Sequence, residues 1–261
     1  MTRSVGVVVP AYRPDVERLT TYVDALRERL DPAEIRIELD AATPETLERL
    51  DSLRATVNVA STRRGKGAAI TAGFEALDTD VLAFADADGS TPASSFAEVV
   101  APVVDGRADV AAGSRRHPDA TVRSHQTFAR RYLGDGFAWL ARRLLDVQLY
   151  DYQCGAKALT GDAWERVRAH LHEPGFAWDI ELLAVADAVD CRVVEVPVVW
   201  EDQPESTVSP VKTTLRLGRG LVVARHRARV LRNDPLHRLL DVRRRRPPAL
   251  VDSLAVETAD E

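Results

Sequence analysis

The segment Asp86-Ala87-Asp88-Gly89-Ser90 places two carboxylates one residue apart, directly after the apolar run Val81-Leu82-Ala83-Phe84-Ala85. That run reads as a short buried strand. In an open α/β sheet, ligands bind just beyond the carboxyl ends of the strands. Carboxylates grouped there can hold a hard divalent cation, and Mg2+ is usually bound by one or two carboxylates plus substrate phosphates. Surface turns also carry paired aspartates, and Ser90 before Thr91-Pro92 could simply cap a helix. The pair therefore draws its meaning from the other polar segments.

Four such segments stand out. Arg63-Arg64-Gly65-Lys66-Gly67-Ala68-Ala69 lies between a strand pattern and a helix pattern. Its glycines let the backbone approach a ligand, and N–H groups at a helix start favour an anion. The spacing is neither a Walker loop nor a dinucleotide fingerprint, and a basic turn would look the same. Lys66 is one of only three lysines in a chain whose other cations are arginines; a compact point charge there suits an ionic contact. Asp151-Tyr152-Gln153-Cys154-Gly155-Ala156-Lys157 is a polar, glycine-bearing loop between apolar stretches. Phe176–Leu183 carries Asp179 and Glu181 at i and i+2, which do not face each other on a helix, so one can serve a site and the other the fold. Trp200-Glu201-Asp202, followed by Ser206-Thr207-Val208, ends a strand in a polar loop able to close over a pocket.

The elements around these segments alternate. Strand patterns cover Ser4–Val9, Glu34–Leu39, Thr56–Ala60, Val81–Ala85 and Asp109–Ala112. Helical periodicity covers Asp15–Leu30, Pro44–Leu53, Gly67–Leu77 and Pro92–Val104. Repeated βα units of this length predict an α/β fold, a mostly parallel central sheet with helices on both faces. The second half is less regular. It offers a long helix over Phe128–Leu145, a loop passing into a strand over Gln153–Leu159, helices over Gly161–Leu171 and Asp179–Ala188, and a strand over Arg192–Trp200.

Bulk composition narrows the class. The 261 residues are 45% hydrophobic and 29% charged, the balance of a soluble globule. A formal net charge of -5 argues against a general nucleic-acid binder. Two cysteines, Cys154 and Cys191, build no disulfide framework. The start lacks a signal-peptide pattern, and no stretch is long and apolar enough to span a bilayer. A cytoplasmic protein, at most peripheral on the membrane, is expected.

The catalytic unit is expected over residues 1–209. Residues 210–246 read as a basic helical region: over Val211–Val230, Val211, Leu215, Leu221 and Val222 lie near one face, with Lys212, Arg216 and Arg219 on another. Arg225, Arg227, Arg229 and Arg232 follow, then the run Arg243–Arg246. A basic amphipathic helix can lie on an anionic membrane; a solvated basic face is the competing reading. Residues 247–261 read as a disordered acidic tail.

Seven stretches, in order, resemble family 2 glycosyltransferases of the GT-A fold: VVVPAYRP at Val7–Pro14, RGKGAAITAGF at Arg64–Phe74, FADADGSTP at Phe84–Pro92, GSR at Gly113–Arg115, DYQCGAK at Asp151–Lys157, FAWDIELL at Phe176–Leu183 and VPVVW at Val196–Trp200. Within that family the chain is similar to dolichyl-phosphate β-glucosyltransferases and polyprenyl-phosphate mannose synthases. The resemblance implies a nucleotide-sugar donor and a polyprenyl-phosphate acceptor at the cytoplasmic membrane face. Pro10, Ala11 and Tyr12 would line the base, with Asp15 beside them, and Asp40 would contact base or ribose. Lys66, Gly67, Gln153 and Lys157 would flank the nucleotide. Asp86 and Asp88 would hold Mg2+ or Mn2+ on the diphosphate. Arg115 with Arg130 or Arg131 would bind the acceptor phosphate, and Asp179 and Glu181 would face the sugar or position the nucleophile. A phosphate acceptor is already ionised near neutral pH, so one inverting displacement needs no obligatory base.

The chain departs from the family pattern at Arg13-Pro14, at Leu39-Asp40-Ala41-Ala42, at Arg63 and at Ala156. The first three touch the donor pocket and leave UDP-glucose and GDP-mannose both open. Three other readings are distinguishable: a transferase with a hydroxyl acceptor, which would need Asp179 as a base; a sugar-nucleotide pyrophosphorylase, disfavoured by the absence of a glycine-rich Gly-x-Gly-Thr-Arg start; and an inactive nucleotide-sugar-binding module.

Overall fold

The runs Val5–Val9 and Val81–Ala85 are apolar without a break, the pattern of a sheet covered on both faces. The computed structural model describes residues 3–123, 128–201, 210–241 and 247–257, with the side chains of 128–133, 210–214 and 255–257 left aside. Its main sheet contains β1 (Val5–Tyr12), β2 (Glu34–Asp40), β3 (Thr56–Ala60), β4 (Val81–Ala85), β5 (Val110–Ser114), β7 (Ala156–Thr160) and β8 (Val193–Pro197). The strand order is β3-β2-β1-β4-β7-β5-β8. All pairings are parallel except those of β7, which runs antiparallel to β4 and β5.

Successive side chains of a strand point to opposite faces, and two cores form accordingly. Val7, Val9, Val81, Ala83 and Ala85 pack with α1 (Val16–Leu30) and α4 (Ala93–Val104). Val8, Leu82 and Phe84 pack with α3 (Lys66–Glu75), α6 (Gly161–Val167) and α7 (Trp178–Ala188). Helix α2 (Pro44–Leu50) covers less, burying only Leu50. The long helix α5 (Phe128–Leu144) contributes Ala141 to the second core.

The expected strand over Arg192–Trp200 is two strands. β8 pairs with β5 as far as Pro197, which has no N–H to continue the ladder. β9 (Val199–Glu201) then joins β6 (Thr121–Arg123) in a separate two-stranded sheet.

The C-terminal third differs from expectation in two ways. Helix α8 (Pro210–Leu231) buries Leu217, Leu221, Ala224 and Ala228 in the core shared with α7, while Leu215 and Val222 are 72% and 59% exposed. Leu217, Leu221, Ala224 and Ala228 follow the i, i+4, i+7 spacing of one helical face; Leu215 and Val222 lie on the opposite face. The tail beyond residue 246 is also not wholly unstructured. Leu250–Glu257 forms α10, with Ala249 and Leu250 buried and the Leu250 N–H donating to the Leu171 carbonyl at 2.9 Å. Apolar residues within the acidic segment carry that docking. The four arginines 243–246 and residues 206–208 lie outside the described residues. Among the described residues, no helix is long and apolar enough to cross a membrane.

Because α8 completes the core, Leu221→Ala should destabilise the protein by about 2–5 kcal/mol in urea unfolding. Leu215→Ala should shift it by no more than about 0.5 kcal/mol.

Candidate active site

The parallel strands deliver their polar ends to one edge of the sheet. Tyr12 ends β1, Asp40 ends β2, and Asp86 follows β4. Antiparallel β7 brings its beginning to the same edge: Ala156 pairs with Ala85, and the Asp86 N–H donates to the Gly155 carbonyl at 2.9 Å. The cavity at this edge measures about 680 Å3 and is lined by Pro10–Asp15, Arg18, Asp40, Arg63, Gly65, Lys66, Ala69, Asp86–Asp88 and Phe176. That volume falls within the roughly 300–1,000 Å3 of small-molecule sites.

A chain of alternating charges runs inward from the cavity. The Lys66 ammonium is 2.9 Å from Asp86 Oδ1 and 3.0 Å from Asp179 Oδ2. Asp179 Oδ1 accepts from Lys157 Nζ at 2.8 Å, and Lys157 also donates to the Cys154 carbonyl at 2.7 Å. Lys157 and Asp179 are fully buried. Burial alone would push the Asp179 carboxyl up and the Lys66 ammonium down. Lys157 and Lys66 overrule it and hold Asp179 below the usual carboxylate range, while Asp179 and Asp86 hold Lys66 above its ordinary value. With both oxygens committed to lysines, Asp179 is a poor proton acceptor.

Gly65 caps α3 with φ +102°, the left-handed region that suits glycine. Its N–H donates to Asp40 Oδ2 at 3.0 Å, and Arg64 donates to Asp40 Oδ1 at 2.8 Å and to Glu38 Oε2 at 3.0 Å. Asp40 lines the cavity, and each of its oxygens also helps to fix the loop that carries Lys66. Gly67 lies in the first turn of α3 against the Trp178 side chain.

Asp86 and Asp88 sit together at the cavity wall. Asp88 Oδ1 accepts from the Ser90 N–H at 2.9 Å. Partial withdrawal from water, then the charge of Asp86, raises the Asp88 carboxyl above its ordinary value. Burial followed by these two charges also pushes the Tyr22 phenol up, and its hydroxyl donates to the Thr91 carbonyl at 2.7 Å. A Cβ on Gly155 would come within 1.8 Å of Asp86 Oδ2, so only a bare backbone lets the carboxylate lie where it does. Among the described residues no group of three or more His, Cys, Asp or Glu side chains could hold a metal. The two carboxylates, with a crowded negative charge at the cavity wall, fit a hard cation that takes its remaining oxygens from a bound diphosphate and water.

Arg115 lies close enough for the charge of Asp86 to reach it. Its guanidinium forks onto Asp151, Nε to Oδ2 at 2.7 Å and Nη2 to Oδ1 at 3.0 Å. This leaves Nη1 and the second Nη2 proton for an acceptor. Asp151, though buried, is held well below the usual carboxylate range by Arg115. The Gln153 N–H also donates to Asp151, at 2.9 Å; Gln153 and Lys157 are outside the cavity lining. Arg130 and Arg131 lie in the first turn of α5, and their side chains fall outside the described residues. Burial pushes the Cys154 thiol up to about 11, so it is inert.

Glu181, expected at the sugar, is elsewhere. It is buried, pairs with Arg227 of α8, and accepts the N–H groups of His172 and Glu173 at 2.9 and 2.8 Å. An acid two residues on from Asp179 faces a different neighbour, so Glu181 holds the tail and the 172–173 loop. Arg13 and Arg63, expected only to touch the donor pocket, line the cavity, and so does Arg18, which sequence reasoning missed. The Arg63 guanidinium lies 4.2 Å from the Tyr12 ring centroid and that of Arg13 5.3 Å from it, while Arg18 projects from the first turn of α1, which Asp15 caps. An aromatic at a strand end beside an arginine-rich loop was the available signal.

The lowered carboxyls set the acid limb of stability. A group with a depressed folded pKa stabilises above its unfolded value, about 4, and that share is lost as pH falls through the folded value. Asp151→Asn should therefore be less stable at pH 7 by about 3 kcal/mol or more. Its urea-unfolding stability should also fall less steeply than the wild type's below about pH 4.

The glycosyl transferase family 2 model matches residues 6–149. Glycosyltransferase AglD of Haloferax volcanii is 33% identical over 232 residues, which are 82% of this chain and 36% of that protein. The dolichyl-phosphate beta-glucosyltransferase of Homo sapiens is 28% identical over 247 residues, 87% of this chain and 76% of the relative. Among solved structures, glucosyl-3-phosphoglycerate synthase of Mycobacterium tuberculosis superposes with a TM-score of 0.63 at 20% identity, over 85% of this chain and 80% of that one. The same enzyme with Mn2+, UDP-glucose and phosphoglyceric acid gives 0.62 at 16% identity, with the same coverage. With the sheet order, the cavity at its carboxyl edge and these matches together, the chain belongs to the family 2 glycosyltransferases and has their GT-A fold.

Proposed function

We propose that the protein transfers a hexose from a nucleotide-sugar, UDP-glucose before GDP-mannose, to the phosphate of a polyprenyl (dolichyl-type) phosphate, by one inverting displacement that serves glycan assembly such as protein glycosylation. The observation that carries this reading is Asp179. Its two oxygens are bound to Lys66 and Lys157 and its pKa is lowered, which suits an acceptor that arrives already ionised. A hydroxyl acceptor would call for a free base of raised pKa. The names of the curated relatives, dolichyl-phosphate beta-glucosyltransferases from several eukaryotes, support the same acceptor.

In this reading Asp86 and Asp88 hold Mg2+ or Mn2+, the ions found with UDP in complexes of the mycobacterial synthase. When bound, the ion neutralises charge developing on the departing diphosphate. Tyr12, backed by Arg63 and Arg13, forms a face for the base, and Arg18 adds charge at the cavity wall. Lys66 points its ammonium to Asp86, where a diphosphate would lie. Arg115, through Nη1, together with Arg130 or Arg131, receives the acceptor phosphate. Placement and fixed charge supply the acceleration.

The test is a donor panel: purified protein, Mg2+ or Mn2+, a short polyprenyl phosphate, and labelled UDP-glucose or GDP-mannose, with the organic phase counted. Metal-dependent label from UDP-glucose is expected, and Asp88→Ala should lose at least about 100-fold. Gly155→Ala, by displacing the Asp86 carboxylate, should weaken metal-dependent donor binding at least tenfold in calorimetry. The rate should rise with ionisation of the acceptor phosphate near its second pKa of about 6 and then stay level. Donor binding without lipid labelling, or label only on a hydroxyl acceptor, would overturn the reading.

A further inference from the structure

Helix α9 (Pro235–Asp241) is turned the wrong way round for a soluble protein. His237 and Asp241 face inward. His237 Nδ1 meets His226 Nδ1 of α8 at 2.9 Å, and Asp241 Oδ1 meets His226 Nε2 at 3.3 Å. His237 and Asp241 are four residues apart and share a face. Leu236, Leu239 and Leu240, at i, i+3 and i+4, occupy the other face and are 63%, 68% and 52% exposed. No residue of α9 is buried. An apolar stripe held outward by a polar clamp does nothing for the core.

The charge around this stripe is one-sided. From Pro210 to Asp241 the sequence carries eight lysines and arginines against two aspartates, in a chain of net charge -5. Some of these cations are spent within the protein, Arg227 on Glu181 and Arg232 on Asp146 and Asp187. Arg216 and Arg219 are exposed and form no ion pair with a described residue, and Arg238 of α9 is exposed with only a long contact to Asn233. Exposed leucines flanking Arg238, on a region with a cationic excess, fit the interface of an anionic bilayer, where apolar side chains enter the acyl boundary and cations meet headgroups. A helix of this kind spans nothing; it lies in the surface plane.

We propose that α9 is a membrane-docking element, with Leu236, Leu239 and Leu240 inserting into an anionic lipid surface and the arginines of α8 and α9 meeting its headgroups. This deepens the reading of a lipid-phosphate acceptor, since docking would bring the cavity to the surface where such an acceptor resides, but the leucine face stands independently of the chemistry. The test is flotation of the full chain with vesicles of phosphatidylglycerol and phosphatidylcholine in equal parts, free of any polyprenyl phosphate, against vesicles of phosphatidylcholine alone. The wild type should float with the anionic vesicles, with binding weakened by raised salt. Replacing Leu236→Ser, Leu239→Ser and Leu240→Ser together should cut partition at least tenfold, at an unchanged melting temperature because the three side chains are exposed. Arg238→Glu should cut it further on that background. A wild type that stays with the unbound protein, or a triple variant that floats equally, would overturn the proposal. So would a wild-type dimer that the triple variant converts to monomers, because the face would then be covered by a second copy. Transfer to a short, water-soluble prenyl phosphate separates this from the chemistry: it should be unchanged in the triple variant, and its absence in the wild type would sink the proposed reaction while leaving docking intact.

Discussion

The site depends on Lys66 standing between Asp86 and Asp179. A cation in the first turn of a helix, where the N–H groups already carry partial positive charge, is unfavourable on its own. Two carboxylates offset that, one at the cavity wall and one in the core. Because Asp179 is also held by Lys157, four charges from four different parts of the chain settle in a fixed alternating row. Removing any one leaves an uncompensated charge in a region of low dielectric, which is far more costly than an exposed pair is stabilising. The row therefore fixes the relative positions of α3, the turn after β4, β7 and α7, and with them the cavity.

Strand β7 is the topological device that makes this arrangement possible. A parallel strand would bring its carboxyl end to the site and leave its start at the far edge. Running antiparallel between β4 and β5, it delivers the loop from Asp151 to Gly155 to the same edge as Asp86. Lys157 then points from the strand into the core beneath Asp179, and Asp151 meets Arg115 at the end of β5. The small sidedness of Gly155 is part of the same geometry, since that backbone lies directly against the Asp86 carboxylate.

Much of this was legible in the sequence, and the losses have physical causes. The βα alternation of the first half is written in continuous apolar strands and periodic helices, so β1 to β5 and the helices between them fall close to their expected bounds. Residues at strand ends, such as Tyr12, Asp40 and Asp86, follow from that pattern, because the carboxyl edge is where an open sheet binds ligands. What a carboxylate does there is another matter. Asp40 reads as a ligand-facing acid and does line the cavity, but it also holds Arg64 and the Gly65 N–H, a pairing across 24 and 25 residues that no local pattern announces. In the tail, local periodicity allowed two faces of α8. Leu215 and Val222 were placed with the apolar side because only tertiary packing against α7 selects Leu217, Leu221 and Ala224 instead.

Asp179 and Glu181 show how far that tertiary selection reaches into the site. Both lie in the first turn of α7, both are buried, and both are ionic partners, but they point to different neighbours. Asp179 takes Lys66 and Lys157, whereas Glu181 takes Arg227 and the two N–H groups of the 172–173 loop. The turn of α7 that presents Asp179 is thus held from behind by α8. His172 of the same loop is tied through Nδ1 to the carbonyls of Pro247 and Pro248, and α10 follows directly. The C-terminal helices are consequently not an appendage to a catalytic unit that ends near residue 209. They form the outer support of the carboxylate that orients Lys66, so a change in how they sit would be transmitted, through Arg227, Glu181 and one turn of helix, to the charge row at the cavity wall.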